Sequence, residues 1–244
     1  MAGGALFPQV TNTAHFEFYA KSTTGESGKA VARLLSQSCE ADYAALVNMF
    51  GLGAPNGLPF RVYVDDGDDG ASHAACADTE IYVGFNKTLR GKYSAADMQT
   101  IYKVLLAAEV VEVFESMTSK WNCGYSPGEG LSRVLAYSLH PGVEFNSTAA
   151  AWLDMNPRQN WVDQWNPSDS DDVSTGCAVL FLNWLRHARG FDWTDIIAAD
   201  KSTLAGLYAA LTGDAGAWEV FSLDMAGRWP VGVPSRVTTD QPFP

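Results

Sequence analysis

The chain lacks most of the features that would place it quickly. No apolar run reaches the roughly 18 residues of a membrane span, so no transmembrane helix is expected. Basic residues are scarce, 16 Lys and Arg against 28 Asp and Glu, for a formal net charge of −12. Nucleic acid and anionic membrane both demand a cationic face, and neither is expected as a partner. The four cysteines (Cys39, Cys76, Cys123 and Cys177) include no CxxC pair, which argues against a tetrahedral Cys-rich zinc site. No GxSxG elbow occurs, and His15, His73, His140 and His187 include no pair at i, i+4. Repeats, low-complexity tracts and obvious linkers are missing too. The segment Met1–Pro8 has neither a basic n-region nor an apolar h-region, so no signal peptide is expected in this chain.

What is present points outside the cytoplasm. Of 244 residues 47% are hydrophobic, enough for one sizeable core or two closely packed lobes. Low lysine content, acidic charge, eight Trp and two sequons (Asn86-Lys87-Thr88 and Asn146-Ser147-Thr148) fit a secreted or extracytoplasmic protein. Four cysteines in an oxidising compartment could form two disulfides, with three connectivities open.

Hydrophobic periodicity predicts strands at 14–20, 60–64 and 80–85 and helices at 26–50, about 94–119, 127–139, 174–189, 193–199, 202–211 and 215–226. Ser94 with Asp97 three residues on reads as a capping-box start for the long helix. The acidic stretch 65–70 lacks EF-hand spacing and reads as a solvated turn. Asp169, Asp171 and Asp172 read as caps for the helix beginning near Val173. Strands first and helices after give an α+β organisation. An N-terminal sheet lobe with a core helix is expected over 1–120, and a mainly helical lobe over 121–244, in one compact unit.

The segment Val104–Phe114 is apolar on every side except at Glu109 and Glu112. A helix hydrophobic all round is normally buried, and glutamate is rarely buried without a partner. The two carboxylates stand at i and i+3 on one face, with Val113 and Ser116 at the i+4 positions where a cation would relieve them. Stability alone would favour Leu or Ala there, so the pair points to a site.

Ala108-Glu109-Val110-Val111-Glu112, followed by Gly128-Glu129-Gly130-Leu131, resembles the zincin metallopeptidase fold, specifically its gluzincin branch, over roughly residues 58–226. The resemblance implies a small mixed sheet, an active-site helix at the HExxH position and a second helix carrying a Glu ligand. Glu109 would then stand at the general-base position and Glu129 at the third-ligand position. The departure is plain: Ala108 and Glu112 occupy the two histidine positions. An alanine cannot ligate, so the usual zinc chemistry is not expected.

Three readings follow. Glu109, Glu112 and Glu129 form an oxygen-rich site for calcium or magnesium. Alternatively they are a metal-free acid/base set, in which carboxylates push one another's pKa values apart, as glycoside hydrolysis requires. In the third, the chain keeps a peptidase fold as a catalytically silent binding protein. Plainer roles stand beside these. Ser126-x-x-Glu129 with Pro127 also fits a capping box, Glu112 could pair with Arg133 or another distant base in a buried salt bridge, and Glu115 reads as an ordinary exposed residue. Trp121, Tyr125, Trp152, Trp161 and Trp165, interleaved with Asn, Gln and Arg, suit a sugar-binding groove or pin a long loop of about 141–173 to the core. The expectation is a hydrolase using Glu109, Glu112 and Glu129 on an extracellular polymer, with a polysaccharide favoured over peptide. Tyr125, Trp121, Trp161 and Trp165 would line its substrate site.

Overall fold

The computed structural model describes residues 6–67, 70–85, 87–145, 147–168 and 170–244. Asp68 and Asp69 of the acidic stretch, the sequon asparagines Asn86 and Asn146, and Asp169 lie outside them. The fold is mixed α+β. Two compact units divide the chain, one formed by 1–48, 52–117 and 135–143, the other by 49–51, 118–134 and 144–244.

The first unit is built on β1 (Gln9–Asn12), β2 (Phe16–Ala20), β3 (Phe60–Asp65), β4 (Ala71–Ser72) and β5 (Glu80–Gly84), in sheet order β1-β2-β3-β5-β4. The three inner strands run parallel and both outer ones antiparallel to their neighbours. Period-2 alternation decides the faces. Phe16, Phe18, Phe60, Val62, Val64, Ile81 and Val83 are buried on one side, each contributing about 1.5–3 kcal/mol on burial. On the other, Tyr19, Tyr63 and Tyr82 stack in a row at 5.0 Å centroid spacings. Helix α1 (Gly25–Leu35) packs on β2 and β3, and α4 (Ala95–Glu115) on β4, β5 and α1. Between them in the chain lie α2 (Cys39–Phe50) and the short α3 (Lys87–Arg90).

Two local expectations meet different outcomes. The capping box is present: Ser94 Oγ accepts from Asp97 N at 3.1 Å, and Ser94 N donates to Asp97 Oδ2 at 3.2 Å. The single helix expected over 26–50 is instead two. Ser36 turns its hydroxyl onto the Arg33 carbonyl at 2.8 Å, and the chain leaves the helix over 36–38 before α2. Serine competes with the helix ladder in this way, which apolar periodicity does not reveal. The turn reading of 65–67 holds, with Gly67 N–H donating to Asp65 Oδ1 at 3.0 Å and Lys21 bonded to Asp66.

The second unit is helical. Helix α5 (Ser126–Leu139) begins in it and ends in the first unit. Then come α6 (Ala149–Leu153), α7 (Asp172–Asn183), a π-helical turn at Trp184–Ala188, α8 (Trp193–Ala199), α9 (Leu204–Thr212) and α10 (Ala217–Arg228). Asp171 caps α7, accepting from Ser174 N at 3.0 Å. Gly176 lets α7 meet the start of α6: a Cβ there would lie 2.2 Å from the Thr148 carbonyl oxygen. Trp152, Phe181, Trp184, Tyr208 and Phe221 form an aromatic core with ring centroids 5.0–5.7 Å apart. The C-terminal tail is tied down by Asp240. Its Oδ1 accepts from Ser147 Oγ (2.9 Å), Thr148 N (2.8 Å) and Ala149 N (2.8 Å), and its carbonyl accepts from Asn183 Nδ2 (2.7 Å).

Candidate functional site

Helix α4 buries the carboxylates that its sequence placed in an apolar stretch. Glu109 is 8% exposed and Glu112 9%. Glu115, expected to be exposed near the helix end, is fully buried at 0%. Spacing of three keeps 109, 112 and 115 on one broad face, so burying the face at Glu112 carries Glu115 with it.

The partner missing from the sequence reading is His73. The two-residue strand β4 pairs with β5 through Ala71↔Val83 and Ser72↔Tyr82 and lies against α4. The next residue therefore arrives at the helix. His73 Nε2 is 3.0 Å from Glu112 Oε2, and its Nδ1 is 3.7 Å from Glu109 Oε2. The three side chains are only 6%, 12% and 11% exposed. The imidazole thus separates two like-charged groups that repel on a bare helix. Nothing periodic marks His73 in Gly70-Ala71-Ser72-His73-Ala74-Ala75-Cys76, and the only clue was the run of small residues around it.

Such a group can move protons. An imidazole with a carboxylate at each nitrogen can donate to one while accepting from the other. Metal binding fits less well. The helix offers Ala108 and Glu112 where a gluzincin zinc needs histidines, and His73 supplies one nitrogen in their stead. Its two nitrogens face different glutamates, so the donors bracket the ring instead of converging on one point. Calcium and magnesium take oxygen shells, which an imidazole in the middle interrupts. A thiolate is not on offer from Cys76 or Cys123. They form a disulfide, whereas Cys39 and Cys177 are free, buried thiols.

The remaining predicted residues lie in the second unit. Glu129 is in the first turn of α5 and accepts from Arg133 Nε at 2.7 Å. Its cation is therefore Arg133, which the sequence reading had offered to Glu112. The Ser126 hydroxyl accepts from Asn166 N–H at 3.1 Å, and Ser126 is already helical. Gly130 gives α5 its close approach to α7, since a Cβ would stand 2.7 Å from that of Ala178. Comparison with protein-family models, curated proteins and solved structures returns no match.

The aromatic residues divide by environment. Trp121 is buried, its indole N–H donating to the Ile197 carbonyl at 3.1 Å and its backbone N–H to Asp200 Oδ1 at 3.3 Å. Tyr125 and Trp165 stack almost parallel, 4.2 Å apart with 3° between planes, and Trp165 is exposed. Trp161 is half-buried and donates to Gln159 Oε1 at 3.1 Å. Stacked rings with an exposed outer face offer an apolar surface against which a sugar ring can pack.

Proposed function

We propose that this chain is a hydrolase whose acid/base centre is Glu109–His73–Glu112, acting on an extracellular polymer with a glycan favoured over peptide. The observation that supports it most is the imidazole held between two nearly buried carboxylates. Glu109 serves as general base or nucleophile, drawing a proton from water. Glu112 serves as the acid, giving one to the leaving oxygen. His73 then returns the proton from Glu109 to Glu112 and resets the centre, once the 3.7 Å contact closes to hydrogen-bond length. No step runs through a metal, because the donor set does not fit one. Glu129 lies in the second unit, salt-bridged to Arg133. The second unit carries a stacked pair, Tyr125 and Trp165, suited to packing against a sugar ring.

A mixed sheet with an antiparallel edge strand, followed in the chain by a buried helix, supports a zincin-like ancestry with its metal chemistry replaced. The disulfide supports secretion, since such bonds persist in oxidising compartments. Among the described residues no helix is long and apolar enough to cross a membrane.

The test is release of reducing ends from a panel of soluble polysaccharides by wild type, Glu109→Gln and Glu112→Gln, with circular dichroism to show retained fold. Loss of activity in both variants supports the proposal. Elemental analysis of wild type beside Glu112→Gln completes it: a stoichiometric metal lost in the variant would overturn the metal-free centre. The second reading, a silent binding protein, is favoured by the depth of burial of the three side chains. Glycan retention without any reducing-end release would establish it instead.

A further inference from the structure

The first unit holds a cavity of about 380 Å³ that the acid/base centre does not use. Its walls come from one face of α1, the chain just after β5, and the first two turns of α4. Val31, Phe85, Met98 and Tyr102 are buried and give it an apolar floor. Ala30 and Ala95 stand exposed at its rim. The volume falls in the range of small-molecule sites, roughly 300–1,000 Å³.

One lining residue gives the cavity a sign. The Arg90 guanidinium lies 4.3 Å above the Phe85 ring centroid, a cation–π contact that fixes its position without consuming its charge. Among the described residues no carboxylate stands within ion-pair distance of Arg90. Arg61, Arg133, Arg186 and Arg228 have acidic partners, whereas the exposed Arg90, like Arg33, Arg158, Arg189 and Arg236, forms no ion pair among the described residues. The acid nearest the cavity on α1, Glu26, is committed to Lys29 at 2.7 Å. An open cavity with an apolar floor and, among the described residues, an acid-free guanidinium at its wall complements an anion on an apolar body. Guanidinium geometry matches a carboxylate in two-point hydrogen bonding.

We propose that this cavity binds a free aliphatic monocarboxylate, with the chain on the Val31–Met98 floor and the carboxylate on Arg90. The proposal is independent of the acid/base centre. Its test is isothermal titration of the intact protein with decanoate, decanol and decyltrimethylammonium. Decanoate is expected to bind one to one. Arg90→Gln should weaken decanoate by about tenfold to a hundredfold, the worth of a charge-assisted hydrogen bond, and leave decanol unchanged. Ala30→Trp, a substitution at the exposed rim, should fill the mouth and abolish binding of both, with an unaltered circular dichroism spectrum. Three results would each overturn the proposal: no decanoate binding to wild type, binding that survives Ala30→Trp, or a cationic amphiphile bound as tightly as decanoate.

Discussion

His73 Nε2 sits 3.0 Å from Glu112 Oε2, with both side chains at least 88% withdrawn from solvent. The two residues come from the residue after an edge strand and the last turn of a buried helix. Removing one partner of a buried pair strands the other, which typically costs about 3–5 kcal/mol. His73→Ala and Glu112→Gln are each expected to lose a stability of that order in urea unfolding. The double variant should lose clearly less than the two single losses combined. Strict additivity would show that the contact carries no coupling.

Cysteine reactivity should divide the four thiols cleanly. Burial pushes the Cys39 thiol up to about 12, and the fully buried Cys177 higher still. Neither then offers thiolate at neutral pH. Native protein should resist iodoacetamide, and unfolded, unreduced protein should take up label at Cys39 and Cys177 only. Reduction should add Cys76 and Cys123 and lower the melting temperature, a structural disulfide being worth about 2–5 kcal/mol. Peptide mapping by mass spectrometry reads all three states, and label on Cys76 before reduction would refute the pairing.

Two helical glycines are expected to respond oppositely to alanine. At Gly176 the new Cβ would lie 2.2 Å from the Thr148 carbonyl oxygen, a backbone atom that cannot rotate away. Overpacking of about 1–3 kcal/mol should outweigh the helix-propensity gain of about 1 kcal/mol. At Gly227 in α10 nothing lies within 4 Å of the added atom, so the gain should appear alone. Thermal melts of Gly176→Ala and Gly227→Ala check both signs. A stabilised Gly176→Ala would contradict the α6–α7 packing.

The C-terminal tail carries a pH dependence of defined sign. Burial raises the carboxyl pKa values of Asp240 and Glu144 above the ordinary range, against the hydrogen bonds each accepts. Among the described residues Asp240 Oδ2 has no hydrogen-bond partner, while Oδ1 has three. A carboxyl whose folded pKa is raised contributes stability in full below its unfolded value. That contribution is lost as pH rises through the folded value. Stability measured by urea unfolding should therefore fall across the window just above the ordinary carboxylate range. Asp240→Asn, neutral but still able to accept at Oδ1, should flatten that fall. An unchanged slope in the variant would show that Asp240 does not titrate there.

Legibility followed the length scale of the signal. Helix α4 could be read at both levels, its cap from Ser94 and Asp97 and its burial from the apolar run 104–114. The core strands β2, β3 and β5 followed from alternation, because a period of 2 is set within one strand. The break at 36–38 was not visible, since apolar spacing continues across it and a serine hydroxyl ended the helix. The edge strands β1 and β4 also escaped, one of four residues and one of two, as both depend on a neighbour for their hydrogen bonds.

From the sequence alone, Glu109 and Glu112 were already on one face of a core helix, without a cation on that helix to answer them. Helix geometry places residues three apart together whatever the rest of the chain does. Which group answers them is a different kind of fact. His73 lies far away in sequence, and its approach depends on the pairing of β4 with β5 and the packing of β4 on α4. Likewise, the assignment of Arg133 to Glu129, and the lack of an acid at Arg90 among the described residues, are outcomes of competition among charges in space. Local periodicity is a property of one segment. The choice of partner belongs to the tertiary structure, because buried charge is satisfied by whichever group the packing brings within reach.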